Sequence, residues 1–392
     1  MKKLLSMVLC FAVALSCAAV FTGCKKEANT YEIAVVTDVG QLKDGGFNQG
    51  TYEGAEAYAQ ANNKTYKYYQ PANGSDATDN DRVAAMRQAI KNGAKIIVAP
   101  GYLQATAMRT AAKENPDVKF IFIDGWTLTD STDANGNDNG APLSNVTAVV
   151  YKEQESGFLA GFAAVMEGYT KLGATLGGGG SNPACNRFGY GFVQGANAAA
   201  LTKYADSETK IDINYSYKYG SGFSGSADLV TQISGWYNAG TEVVFACGGS
   251  MFSSVVSAAD DNRTKNPKII GVDVDQAPLS EYVITSAVKG LKESVQLILK
   301  EYYEGKWDTQ LGGKTSNLGA SDNATGLPTA ETSWRMTHFT VDQYNVLFNQ
   351  IKTGAVTVLS EVPANCNDAA WLTGTGDTPL FAKVNINFTA EA

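Results

Sequence analysis

A repeated design along this chain constrains its fold more than any other feature. Residues 90–101 read IKNGAKIIVAPG and residues 237–248 read YNAGTEVVFACG. Each is a helix end, a glycine stop, then an apolar strand that finishes at glycine. A second helix follows each, then an Asn-Pro turn (Asn115-Pro116 and Asn266-Pro267) and another apolar strand, VKFIFID or KIIGVDVD. The β-branched runs at 32–38, 94–100, 119–124, 242–247 and 268–273 are continuous rather than alternating. Such runs between helical patterns predict parallel strands covered on both faces. The spacing predicts helices over 80–92, 105–114, 226–238 and 253–260, with Val83, Met86 and Ile90 toward a sheet. Two βαβ lobes of similar plan explain the echo, and one long sheet is the alternative. Forty glycines against ten prolines suit a fold with many tight strand-to-helix turns.

The expected division is 31–145 plus about 286–310 for the amino-terminal lobe, and 146–285 plus about 311–392 for the other. Crossings are expected near 145–150, 282–289 and 318–328. Several crossings hold a cleft between the lobes while letting it close.

The amino terminus sets the compartment. Lys2 and Lys3 precede an apolar run over 4–21 that stops at Thr22-Gly23-Cys24. A basic start, a short apolar core and small residues before a cleavage point make a secretory signal. A Cys directly after the small residues marks a lipoprotein signal, so residues 1–23 read as leader, Cys24 as the lipid-bearing residue and 24–30 as tether. A plain secretory signal with an incidental Cys24 is the alternative. The expected location is the extracytoplasmic face of the cell membrane, anchored through lipid on Cys24, and the body is expected to be a monomer. The formal net charge is −8, and losing the leader removes two lysines and no acid. An acidic chain without a basic run is a poor partner for nucleic acid. Beyond the leader and Cys24, only Cys185, Cys247 and Cys366 remain. They are too few for a disulfide framework; one bridge or three buried thiols both fit.

Residue chemistry excludes several functions. His338 is the only histidine, which rules out an HExxH zinc site and limits any triad. There is no GxSxG elbow, and the glycines at 177–180 lack the Lys-Ser/Thr of a Walker loop. The acidic stretch 130–140 has no register that supplies both the Gly and the closing Glu of a calcium loop. No cofactor and no metal are expected. Asp38, Asp124 and Asp273 each fall at the C-terminal end of an expected parallel strand, the edge that faces the ligand crevice in such sheets. Each alone also fits a helix cap or turn. Phe47 and Phe188 stand near equivalent edges of the two lobes and would sandwich a flat ring; burial of both in lobe cores is the alternative.

These residues lie in longer blocks that resemble a known family. The blocks are VVTDVGQLKDGGFNQGTYEG (35–54), NVTAVVYKEQESGFLAGFAA (145–164), RFGYGFVQGAN (187–197), VVFACGG (243–249), GVDVDQ (271–276) and TSAVKG (285–290). In this order they resemble the basic membrane lipoprotein family, the PnrA-like substrate-binding proteins of ABC transporters. The resemblance implies a type I periplasmic-binding-protein fold, no enzymatic activity, and capture of purine nucleosides for an ABC permease and its ATPase. It implies Asp38 and Asp124 on the base edge and Phe47 and Phe188 on its faces. It also implies Asp273 on the ribose hydroxyls, Lys289 near the sugar, Gly249 allowing close backbone approach, and Asn48 binding or shaping its loop. Val39 departs from the polar residue often found after the first aspartate. Trp126, the loop 127–144 and the segment 181–186 also depart, and Trp126 joins the candidate ligand residues because it falls near the cleft. A receptor for a sugar or sugar-like signal, a carboxylate-dependent nucleoside hydrolase, and a surface role in adhesion or sensing are the alternatives.

Overall fold

The computed structural model describes residues 30–38, 41–217, 222–360 and 381–389. The leader, Cys24, Val39 and Cys366 lie outside the described residues. The first lobe contains β1 (Ile33–Val36), α1 (Phe47–Ala61), β2 (Tyr66–Tyr69), α2 (Asp79–Lys91), β3 (Ile96–Pro100), α3 (Ala105–Glu114), β4 (Lys119–Ile123) and β5 (Val146–Tyr151). The second begins with α4 (Glu153–Glu167), β6 (Lys171–Leu176), α5 (Pro183–Lys203), β7 (Ile211–Tyr217) and α6 (Ala227–Asn238). It continues with β8 (Val243–Cys247), α7 (Phe252–Asp261), β9 (Lys268–Asp273) and β10 (Val283–Lys289). The chain then returns to the first lobe for α8 (Leu291–Tyr303) and β11 (Thr315–Leu318). It ends in the second with β12 (Thr325–Gly326), α9 (Val341–Lys352) and β13 (Val384–Thr389).

Two separate sheets result, in the orders β11-β5-β4-β3-β1-β2 and β12-β10-β9-β8-β6-β7-β13. All pairings are parallel except the short β12 against β10. The continuous apolar runs are explained by side chains alternating between two covered faces. In β1, Ala34 and Val36 enter one core while Ile33 and Val35 enter the core on the opposite face. In β8, Val243, Phe245 and Cys247 face α5, and Val244 and Ala246 face α6 and α7. Fully burying such a side chain contributes about 1.5–3 kcal/mol.

Local chemistry sets the helix starts. Thr78 and Asp81 form a capping box before α2, Ser226 caps α6, and Thr340 with Gln343 caps α9. Asn182 caps α5 by accepting from the Cys185 N–H at 2.8 Å, with Pro183 in the first turn. Helices α4 and α5 meet at backbone distance. A Cβ on Gly157 or Gly161 would stand 2.1 or 2.0 Å from the carbonyl oxygens of Phe188 and Phe192. One on Gly191 or Gly195 would stand 2.1 or 1.9 Å from those of Gln154 and Phe158.

The first two crossings fall later than expected, and the third lies within the expected 318–328. Val146–Tyr151 pairs with β4 and Thr315–Leu318 pairs with β5, so both belong to the first sheet, while β10 keeps residues up to Lys289 in the second. The apolar run at 145–150 completes a sheet rather than leaving it. The chain passes between lobes at Lys152, at Gly290 and between Leu318 and Thr325. These strands are cross-tied: Lys152 N donates to Leu318 O at 2.8 Å, and Gly290 N to Ala324 O at 2.7 Å. Among the described residues, no helix is long and apolar enough to cross a membrane.

Candidate functional site

The C-terminal ends of the two sheets face each other across a cavity lined by residues of both lobes, the edge at which open parallel sheets bind small molecules. The repeated design places corresponding residues on its two walls. Gly101 follows β3 at φ 97° and Gly248 follows β8 at φ 146°. Asp124 follows β4 at φ 56°, and Asp273 ends β9 at φ 68°. Two non-glycine residues held left-handed at matching strand ends are strained positions of the kind that persists at binding sites. Gly101 is required by its neighbour, because a Cβ there would stand 2.2 Å from Asp38 Oδ2.

Lys289, the last residue of β10, is the hub. Its ammonium lies 2.5 Å from Asp124 Oδ2, 3.4 Å from Asp273 Oδ1 and 3.9 Å from Glu153 Oε1. Glu153 is also bonded to Arg187 Nε at 2.6 Å. Burial opposes the charge on Lys289, but Asp124, Asp273 and Glu153 together hold its pKa above the usual lysine value. Burial acts the other way on Asp273, whose carboxyl is pushed up to about 6; Lys289 pulls it down, and Asp124 and Asp44 push it further up. The same ammonium lies 4.6 Å from the Phe47 ring centre and 5.8 Å from that of Phe188, within cation–π reach.

Around the hub, Asp38 accepts from Asn48 Nδ2 at 3.1 Å. Asp44 ties the start of α1 by accepting from the N–H groups of Gly46, Asn48 and Gln49 at 2.9, 3.0 and 3.1 Å. Burial raises its pKa despite those bonds. Two buried acceptor atoms on the wall, Asn48 Oδ1 and Asp124 Oδ1, have no hydrogen-bond partner among the described residues.

Of the residues singled out from sequence, Asp38, Phe47, Asn48, Asp124, Phe188, Gly249, Asp273 and Lys289 all line the cavity. Trp126 does not. Its ring packs on Phe122 at 5.4 Å and its indole nitrogen donates to Asp138 at 2.6 Å, which anchors the inserted loop. Phe188 is brought to the wall by α5, not by the glycine-rich stretch before it. It also stays in the lobe core, edge-on to Phe245 at 6.1 Å. Those glycines instead make room for a neighbour: a Cβ on Gly177 would stand 2.5 Å from the Phe223 ring. Sequence reasoning missed Asp44, Tyr102, Asn182 and Phe223 on the cavity wall and Glu153 behind it. The one available signal for Phe223 was its Gly/Ser-rich setting just after a strand. Cys185 and Cys247 are free and buried. Among the described residues, no group of three or more His, Cys, Asp or Glu side chains is arranged so that it could hold a metal ion.

A two-lobed α/β chain with a cavity at the facing strand ends is the architecture of an ABC-transporter solute-binding protein of the type I class. Solved solute-binding proteins from Aeropyrum pernix and Conexibacter woesei share it, with TM-scores of 0.64 and 0.61 at 19% and 21% identity. The similarity covers 86% and 84% of this chain and 94% and 99% of theirs. The chain belongs to the PnrA-like family of ABC transporter substrate-binding proteins, whose profile matches residues 31–361. It is 30% identical to the ABC transporter nucleoside-binding protein BmpA of Lactococcus lactis, over 76% of this chain and 84% of that one. It is 27% identical to the CD4+ T-cell-stimulating antigen of Listeria monocytogenes, over 77% and 81%.

Proposed function

We propose that this protein captures a purine nucleoside between its lobes and hands it unaltered to an ABC permease driven by a cytoplasmic ATPase. The observation that carries the reading is the shared hub: two phenylalanine rings, Asp124, Asp273 and Glu153 surround one buried lysine, with Asp38 on the same cavity wall. Phe47 and Phe188 stack on the base, and Asp38 and Asp124 accept its N–H donors. Asp273 accepts ribose hydroxyls beside Lys289, and Gly249 lets the backbone approach. The unpartnered oxygens of Asn48 and Asp124 suit a donor-rich ligand, since a buried acceptor left unpaired costs about 1–3 kcal/mol. The nucleoside-binding relative in Lactococcus supports the same ligand class. Lipid on Cys24 anchors the body outside the membrane.

Calorimetric titration with adenosine, guanosine, inosine and free ribose tests the reading. Nucleoside binding with weak or no binding of ribose is expected, and no heat with any nucleoside removes the claim. Phe47→Ala and Phe188→Ala should each weaken binding tenfold or more, given about 1–3 kcal/mol per stacked base. Unchanged affinity in both would end the sandwich.

A further inference from the structure

One polar side chain joins the two lobes without touching the cavity. Gln276 follows β9 in the second lobe and is fully buried. Its Oε1 accepts from Val272 N at 2.9 Å, and its backbone N–H donates to Ser286 Oγ at 3.0 Å. Both contacts fix it to its own lobe. Its remaining group, Nε2, donates across to the carbonyl of Gly45 in the first lobe at 2.9 Å.

The surroundings are shaped to admit this bond. Gly45 lies at φ 65°, and a Cβ there would stand 2.7 Å from Leu279 Cδ1. A Cβ on Gly271 would stand 2.6 Å from Gln276 Oε1. The gripped loop is the one that Asp44 organises and that continues directly into Phe47 and Asn48 on the cavity wall. Holding Gly45 therefore holds the stacking ring and the amide next to it, while Gln276 itself does not line the cavity.

We infer that Gln276 is a positioning residue that latches the lobes together, setting how long a captured ligand is retained by bonding the loop that carries Phe47 and Asn48. The inference rests on the functional reading above. The latch makes no ligand contact, so it slows opening and leaves the encounter step alone. Most affinity differences of this kind appear in dissociation.

The test uses Gln276→Glu, which keeps the acceptor for Val272 but sets a carboxylate oxygen against the Gly45 carbonyl. Gly45→Ala attacks the same contact from the other lobe. Stopped-flow binding of inosine should show dissociation about tenfold faster in both variants, as befits one lost buried hydrogen bond. Association should stay within about twofold. Small-angle scattering without ligand should show a larger radius of gyration for each variant than for the wild type. A purely structural role would instead lower thermal stability without separating the two rate constants. Dissociation rates and scattering equal to wild type in both folded variants would overturn the latch. If the wild type binds no nucleoside, the functional reading fails, and scattering of the ligand-free proteins still decides whether Gln276 holds the lobes.

Discussion

Asp273 shows how one enclosed carboxylate couples stability and binding in opposite senses. In an unfolded chain an aspartate titrates at about 3.9, and in the folded protein burial pushes this one up to about 6. The folded state therefore holds the proton more tightly. The group's contribution to stability is full below about pH 4 and is lost as pH rises through about 6. The proposed ribose contact favours the other form, because the ionised carboxylate offers both oxygens purely as acceptors. Nucleoside affinity should fall by up to about tenfold between pH 7 and pH 5, since one pH unit below the pKa leaves about a tenth of the group ionised. Asp273→Asn should bind more weakly and show little of that slope; equal slopes in calorimetry at the two pH values would remove Asp273 from the ligand contacts. Asp38, Asp124 and Asp273 were visible in sequence because each ends an apolar strand. The left-handed backbone of two of them, and their common partner Lys289, depend on contacts across sheets that no local pattern encodes. Trp126 misled for the same reason: nearness in sequence to a strand end does not fix where a large ring packs.

At the scale of elements, the α4–α5 pair positions the second wall of the cavity. Its glycines at 157, 161, 191 and 195 bring backbone against backbone, and each added methyl would meet a carbonyl oxygen rather than a movable side chain. That contact holds Phe188, which lies on α5 at the level of Gly157. Gly161→Ala should lower unfolding stability by about 3 kcal/mol, the upper part of the usual range for overpacking. It should also reduce nucleoside affinity by shifting Phe188. Urea melts and calorimetry on the same variant would check both, and a stability change under 0.5 kcal/mol would contradict the close contact. The strands and several helices were legible from period and punctuation. The helix pair was visible only as two quoted blocks, ESGFLAGFAA and RFGYGFVQGAN, whose mutual contact no spacing within either block reveals. The lobe boundary shifted because the run after Asn145 pairs with β4, and sheet membership is settled by hydrogen bonding between strands distant in sequence.

At the scale of the whole molecule, charge separates ligand classes. The chain carries a net charge of −8, and the cavity region gathers Asp38, Asp44, Asp124, Asp273 and Glu153 against Lys289 and Arg187. Lys289 is already shared among three carboxylates, so an added phosphate would enter without a free counter-charge. Inosine at a hundred times its Kd should stabilise the protein by about 2.7 kcal/mol. Inosine 5′-monophosphate at the same concentration should give little or no shift in thermal melting, and equal shifts would show that charge does not select the ligand. By itself, the sequence determined the parallel α/β class, the doubling into two lobes, and the edge where most of the cavity residues stand. Apolar periodicity and strand-end residues are local properties written directly in the order of amino acids. Only the tertiary structure decided which strands share a sheet, that Lys289 binds three carboxylates, and that Phe188 serves core and cavity at once. Those outcomes arise from residues far apart in the chain meeting across a cleft, where close packing and low dielectric decide the energy of every pair.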